Sequence, residues 1–257
     1  MIGMSRDTLR HYEKRGLISP KKGENGYRYY TDEDVQRLLG IVYQRKMNLG
    51  LSEIESIWSG DNVLYGLDER IEKRIAAEEQ AIRAHRQTIA RLKLSRSDAI
   101  RFTNGIGTMQ IQNYPDTYVI IQQTTLEDSI GQWFQYGQQY PGMDMMYIYD
   151  EYQWQQHGGQ ISFDYKNSQL VLNRDLKEYV DYPVSDETHS APSSRFCVST
   201  FCVSPTRLPS ADTVRSMLDW AASQELIVSQ QLFVTFLSQG MQDDQKVWYL
   251  QLLMPVF

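Results

Sequence analysis

Residues 67–100 contain neither proline nor glycine, and Ile71, Ile75, Glu78, Ile82, His85, Ile89 and Leu92 recur through them at spacings of four and three. That repeat is the seam of a coiled coil. At 1.5 Å per residue such a helix is about 50 Å long, more than the core of a small domain can enclose. It must therefore divide the chain into a part before and a part after. The seam has two polar positions, Glu78 and His85. In an antiparallel pair centred on Ile82, Glu78 of one copy falls near His85 of the other. The expectation is a homodimer held by a helix over 67–101. The alternative is a single amphipathic helix packed on its own chain.

The parts on either side carry opposite charge. The formal net charge is −6. Residues 1–46 hold ten Lys/Arg against six Asp/Glu, a net of +4, whereas residues 103–257 hold seven against seventeen, a net of −10. Only the front is fit to approach a phosphate backbone. No apolar run reaches the ~18–20 residues of a membrane span, and no basic-then-apolar leader opens the chain. A cytoplasmic protein without membrane contact is expected.

The front carries its own punctuation. In "SRDTLRHYEKRGL", Ser5 is a helix N-cap with Asp7 in the first turn, and Gly16 is a stop. Arg6, Arg10 and Lys14 share one face at i, i+4 and i+8, while Leu9 and Tyr12 share another. "KKGENGYRYY" reads as a hairpin turning at Asn25-Gly26. Thr31 with Asp34 opens a helix whose apolar stripe is Val35, Leu38, Leu39 and Val42. Gly50 ends it, and Ser52 with Glu55 form a capping box for the next. "FTNGIGT" (Phe102–Thr108) is expected to break the long helix and act as a linker.

Behind it the texture changes. An extended "MQIQNYPDTYVIIQQ" precedes a helix at about 127–140. Strands "MMYIYDEYQW" and "QISFDYKN" follow, joined across His157-Gly158-Gly159. After a polar loop, "SDETHSAPSS", the order returns: strand "RFCVSTFCV", helix "SADTVRSMLDWAASQ", strands "LFVTFLS" and "KVWYLQLLMPV". A β-α-β-β pattern thus occurs twice. The only cysteines, Cys197 and Cys202, lie five apart on one strand and point to opposite faces, against a mutual disulfide. The four histidines show no metal-ligand spacing.

The segment "SRDTLRHYEKRGLISPKKGENGYRYYTDEDVQRL" resembles the MerR family of transcription regulators, densely over residues 3 to 57. The resemblance implies an α+β chain in three parts: a winged helix-turn-helix over 1–66, an antiparallel dimerisation helix over 67–101, and a sensing domain over 108–257. The back, with its ending "WYLQLLMPV", is similar to the GyrI-like effector domain of multidrug-sensing members. The family's pattern starts with a further helix ahead of "GMSRDTL", of which only Met1 and Ile2 stand here. The expectation is that the first helix of the helix-turn-helix is missing.

Family and residues together define the expected sites. The DNA-contacting set is Ser5, Arg6, Arg10, His11, Tyr12 and Lys14 at the first helix, Tyr27 and Arg28 on the wing, and Lys46 beyond it. Arginines can bond phosphates or guanine, and the wing's Tyr27 and Arg28 grip phosphates by resemblance. Such regulators bind, as dimers, a pseudo-palindrome in an overlong promoter spacer, and distort the DNA until RNA polymerase can engage both elements.

The sensing domain is rich in aromatics, with eleven of the seventeen tyrosines. Alternation puts Tyr147, Tyr149 and Glu151 on one side of a strand, and Ile148, Asp150, Tyr152 and Trp154 on the other. Rings beside a carboxylate suit a bulky lipophilic cation. Trp133, Phe134, Phe163, Phe233, Phe236, Trp248 and Tyr249 are further wall candidates. GyrI-like sensors often place a glutamate in the late strands, where this chain has Gln251. A carboxylate would then come from elsewhere, with Glu151 and Asp150 the first candidates.

The expected function is therefore a ligand-responsive activator, with no cofactor and no catalysis. Two alternatives stand beside it. A metal- or redox-responsive regulator would carry cysteines after the coiled coil, and residues 93–115 have none. The other is a GyrI-like small-molecule hydrolase or binding protein; hydrolysis would need a positioned acid or base, against which Gln251 counts, and no nucleophile–base pair is visible.

Overall fold

The computed structural model describes residues 3–59, 67–185 and 196–257. The expected polar loop from residue 186 onward, with His189, lies outside the described residues, as do Met1 and Ile2. The chain divides into two compact units, Met1–Gln80 and Ala81–Phe257, with the boundary inside the long helix.

In the first unit, α1 (Arg6–Lys14) starts where the Ser5 side chain accepts from Thr8 N. The wing is a two-stranded ribbon, β1 (Lys21–Lys22) and β2 (Arg28–Tyr29), turned at Gly26 with φ +77°. Helix α2 (Asp32–Lys46) opens on the expected Thr31–Asp34 capping box. Asp34 is buried, and its carboxylate accepts from Ser19 N and Thr31 N at 2.9 Å each. Burial alone would raise its pKa. The backbone and Thr31 hydrogen bonds outweigh that and hold it below the usual carboxylate value.

Helix α3 (Leu51–Ser59) is capped differently from expectation: Gly50 N donates to the Glu53 carboxylate, while Glu55 pairs with Arg15 at 2.9 Å. Leu38, Ile41 and Ile54 are wholly buried at the centre of this unit, with Tyr12 among the residues packed on them. Each such side chain contributes about 1.5–3 kcal/mol by leaving water.

Helix α4 runs Leu67–Gly105, through most of the expected linker. Its last turn is held by packing. Phe102 sits edge-on to Phe201 and Tyr249, with ring centroids 5.9 and 5.0 Å away. A Cβ on Gly105 would stand 2.5 Å from the Phe201 ring, so the glycine there permits close approach rather than a break.

The second unit is one seven-stranded sheet of β3 (Gln110–Asn113), β4 (Thr117–Gln123), β5 (Tyr147–His157), β6 (Gln160–Asn173), β7 (Phe196–Ser204), β8 (Gln231–Gln242) and β9 (Gln245–Pro255). Neighbours pair antiparallel in the order β3-β7-β9-β8-β5-β6-β4. With β3 set aside, the order is symmetric about the β8–β5 pairing, as two β-α-β-β repeats joined at their second strands require. Helix α5 (Leu126–Gln139) belongs to the first of these β-α-β-β repeats and α6 (Ala211–Ser223) to the second. Val214 and Met217 of α6 pack with Val234, Leu250 and Leu252 of the sheet. Leu170, Leu172 and Met143 pack with Trp133 of α5 and with Ala90 and Leu94 of α4. Among the described residues, no helix is long and apolar enough to cross a membrane.

Candidate functional site

In the first unit, Arg6, Arg10, His11 and Lys14 are exposed on α1, and Ser5 caps that helix. Tyr12 does not share their surface. It is only 8% exposed and packs in the core, so the structure corrects its expected role as a DNA contact to a packing one. On the wing, the Asn25 side-chain oxygen accepts from Tyr27 N at 3.1 Å, and the Tyr27 ring stands free. Arg28 donates through Nε to Glu13 at 2.6 Å, which fastens the wing to α1. Lys46 is exposed in the last turn of α2, while its neighbour Met47 turns to the core. Lys21 and Lys22 on β1 are also exposed, two cations that the expected set left out. Their signal was plain: adjacent lysines beside the turn.

On α4 the seam residues Ile75, Ile82, Ile89 and Leu92 are exposed, with Ile82 and Ile89 at 51% each. Ile71 and Glu78 are half-buried and His85 is exposed. The Glu78 carboxylate already accepts from Arg74 at 2.7 Å and Asn48 at 3.0 Å within its own chain. The side chain hydrogen bond from Asn48, then that from Arg74, hold it below the usual carboxylate value.

The same helix presents a second row, Gln87, Ala90, Arg91, Leu94, Asp98 and Arg101, to the sheet domain. Two cavities lie against it. The larger, about 640 Å³, is walled by Trp133, Phe134, Tyr147, Ile148, Phe236 and Trp248, with Arg91, Asp98, Asp144 and Arg207 among its polar groups. The smaller, about 430 Å³, is lined by Arg101, Asn113, Tyr147, Tyr149, Thr235 and Gln251, among others. Tyr147 borders both.

Register explains the smaller cavity. Tyr149, Thr235, Gln251 and Phe201 are cross-strand partners in β5, β8, β9 and β7 and so form one row on one face. Arg101 Nη2 donates to Gln251 Oε1 at 2.9 Å. The Tyr147 hydroxyl donates to Asp98 at 2.6 Å. Burial raises the Asp98 pKa, against the opposing pull of Tyr147 and Arg101. Burial also pushes the Tyr147 and Tyr149 phenols up, so both remain neutral donors.

In the larger cavity Arg91 and Asp144 form a two-pronged pair. Arg207 lies over the Phe236 and Trp248 rings, 5.4 Å from each centroid, and occupies those faces. Trp133, Phe134 and Tyr147 are the other rings that line this cavity.

The expected ligand residues therefore separate. Trp133, Tyr147, Tyr149, Trp248 and Gln251 line a cavity. Glu151 does not: its carboxylate accepts from Asn167 at 2.7 Å and Gln231 at 2.9 Å. Asp150 is buried on the opposite face, 3.6 Å from Arg207. Asp98 and Asp144 line the larger cavity and Asp116 and Asp175 the smaller, four carboxylates that the sequence reading did not single out. Tyr152, Trp154 and Phe163 pack in the core beneath α6, with the Trp154 indole donating to Ser229 O. Phe233 is buried under Tyr114, at 5.5 Å between rings, and Tyr249 packs on Phe102. A signal for α4 existed in its second row, spaced at three and four beside the heptad seam.

Comparison with known proteins agrees with this layout at the front. The family model described as MerR HTH family regulatory protein matches residues 1–60. The chain is similar to the HTH-type transcriptional regulator ZntR homolog of Haemophilus influenzae, 35% identical over 96 residues, 36% of this chain and 71% of that protein. It is also similar to the Multidrug-efflux transporter 2 regulator of Bacillus subtilis, 33% identical over 99 residues, 36% of this chain and 34% of the relative. The Mercuric resistance operon regulatory protein of Bacillus cereus is 38% identical over 56 residues, 21% of this chain and 42% of that protein.

Proposed function

The chain belongs to the MerR family of helix-turn-helix transcription regulators, and on that premise we propose that it is a dimeric, ligand-responsive activator whose GyrI-like C-terminal domain reads a bulky lipophilic, cationic compound. Regulators of this family bind promoter DNA and typically act as dimers. In the proposed mechanism, α1 enters the major groove and the wing holds the backbone beside it. Two heads, brought together by antiparallel α4 helices, bind a pseudo-palindrome in an overlong spacer. The deformed DNA realigns the promoter elements for RNA polymerase.

One observation carries the effector reading: α4 bears the exposed seam on one side and supplies Arg91, Leu94, Asp98 and Arg101 to the cavity walls on another. A ligand that changes how those residues sit acts on the element that holds the dimer. The rings of Trp133, Phe134 and Tyr147 with the Asp98 carboxylate suit a lipophilic cation. The similarity to a multidrug-efflux transporter regulator supports the same class of effector.

The test is fluorescence anisotropy on a promoter fragment carrying a pseudo-palindrome in a long spacer, followed by in vitro transcription with rhodamine 6G as probe cation. Binding should fall steeply with salt. Transcription should rise with the cation, and Asp98→Asn should blunt that rise. Salt-independent binding, or a cation response untouched by Asp98→Asn, would count against the reading.

A further inference from the structure

Glu13 stands where simple electrostatics would not put a carboxylate. It lies in the last turn of α1, beside the partial negative charge of the helix C-terminus. It also lies on the helix that the DNA-binding reading sends into the groove, where an acid repels phosphate. Asp7, the other acid of α1, is in the first turn, where the helix dipole favours it, and its side chain is 92% exposed to screening water. Glu13 has neither compensation.

What it has instead is Arg28. Glu13 Oε2 accepts from Arg28 Nε at 2.6 Å, and both side chains are largely shielded from water. Arg28 turns from the wing toward α1, while Tyr27 and Tyr29, the residues on either side of it, are 72% and 55% exposed. The wing beneath is firm: Asn25 Nδ2 donates to the Tyr29 hydroxyl at 3.0 Å, and Gly23 N to Tyr27 O at 2.9 Å. A free arginine must immobilise several rotors before it can hold a phosphate. Here the Nε bond already fixes the plane of the guanidinium. Among the described residues, its Nη groups make no hydrogen bond to the protein. They remain a planar pair of donors of the kind that suits a phosphate.

We propose that Glu13 is a positioning residue for DNA binding, which holds Arg28 so that its Nη groups meet a backbone phosphate passing between α1 and the wing. Glu13 itself touches no DNA. The proposal rests on the DNA-binding reading of the head and adds to it an unexpected sign: an acid on the reading helix strengthens the grip on a polyanion.

The experiment measures anisotropy of the full chain on a labelled promoter fragment carrying a pseudo-palindrome in a long spacer. Arg28→Ala should weaken binding about tenfold and lower the salt slope by about 1. Glu13→Ala should weaken it about fivefold, although it removes a negative charge. Glu13→Gln keeps an acceptor oxygen in place and should stay within about twofold of the unaltered chain. In the Arg28→Ala background, Glu13→Ala should weaken binding no further, whereas a folding defect would persist there. Tighter or unchanged binding by Glu13→Ala overturns the proposal, because the carboxylate would then act through its charge alone or not at all. A loss that adds in full to that of Arg28→Ala overturns it too, since Glu13 would not be acting through Arg28. Failure of the unaltered chain to bind with steep salt dependence removes the DNA-binding reading itself, and the proposal with it.

Discussion

Arg91 and Asp144 are joined by two parallel hydrogen bonds, Nε to Oδ2 and Nη2 to Oδ1, each 2.6 Å long. The pair ties α4 to the turn after α5. The Arg91 bond holds Asp144 below the usual carboxylate value, against the effect of burial. The folded pKa is thus lower than the unfolded one. The stabilisation is present above the unfolded value and is lost as pH falls through the folded one. Both side chains are about a third exposed, so solvent screens the pair. Arg91→Gln should cost about 1 kcal/mol at pH 7 and less in acid. Urea unfolding across a pH series measures the difference.

Gly105→Ala sets two effects against each other. Alanine favours a helix by up to about 1 kcal/mol over glycine. Here its Cβ would stand 2.5 Å from a ring that is 2% exposed and cannot swing away. Overpacking costs about 1–3 kcal/mol, so the clash should win. A melting temperature lower by roughly 2–6 °C is expected for a domain of this size.

Ile82→Lys changes a side chain that is half-exposed within one protomer. The unfolding of the protomer should move by no more than about 0.5 kcal/mol. Sedimentation velocity should nonetheless show monomers, because the lysine lies in the middle of the proposed seam. A dimer unchanged by the substitution would place the interface elsewhere.

Two neighbours on α1 should behave as opposites. Arg10→Ala removes an exposed cation and should leave the melt unchanged, while it weakens DNA binding and lowers the salt slope by about 1. Tyr12→Ala removes a core ring and should cost about 3–5 kcal/mol of head stability, with DNA binding lost only as folding is lost. Denaturation and anisotropy on the same two variants separate the roles.

What was legible in the sequence was local. The Ser5 and Thr31 caps and the Asn25-Gly26 turn each depend on residues within one or two turns, and the structure has them. Long-range contacts were not legible. Gly105 reads as a breaker until Phe201, far along the chain, fills the space beside it. Alternation along β5 correctly separates Tyr149 from Tyr152, but it does not tell which side α6 covers. Glu151 looked like the cavity carboxylate because it shares a face with Tyr149. Asn167 and Gln231, neighbours only through strand pairing, occupy it instead. Asp98 is not legible in the sequence, because a lone aspartate on a long charged helix has no local mark of its partner Tyr147.

The double duty of α4 has a consequence for what lengths this helix can take. The exposed row proposed as a seam and the cavity wall are two rows on one cylinder, kept in phase by the residues between them. One inserted or deleted residue between Ile89 and Asp98 would turn everything beyond it by about 100°. Either the seam or the wall would then face the wrong way. Substitution can alter either row by itself, but the segment cannot change its count without unmaking one of them. The spacing from Ile82 to Arg101 is therefore under a stricter constraint than the identity of most residues within it.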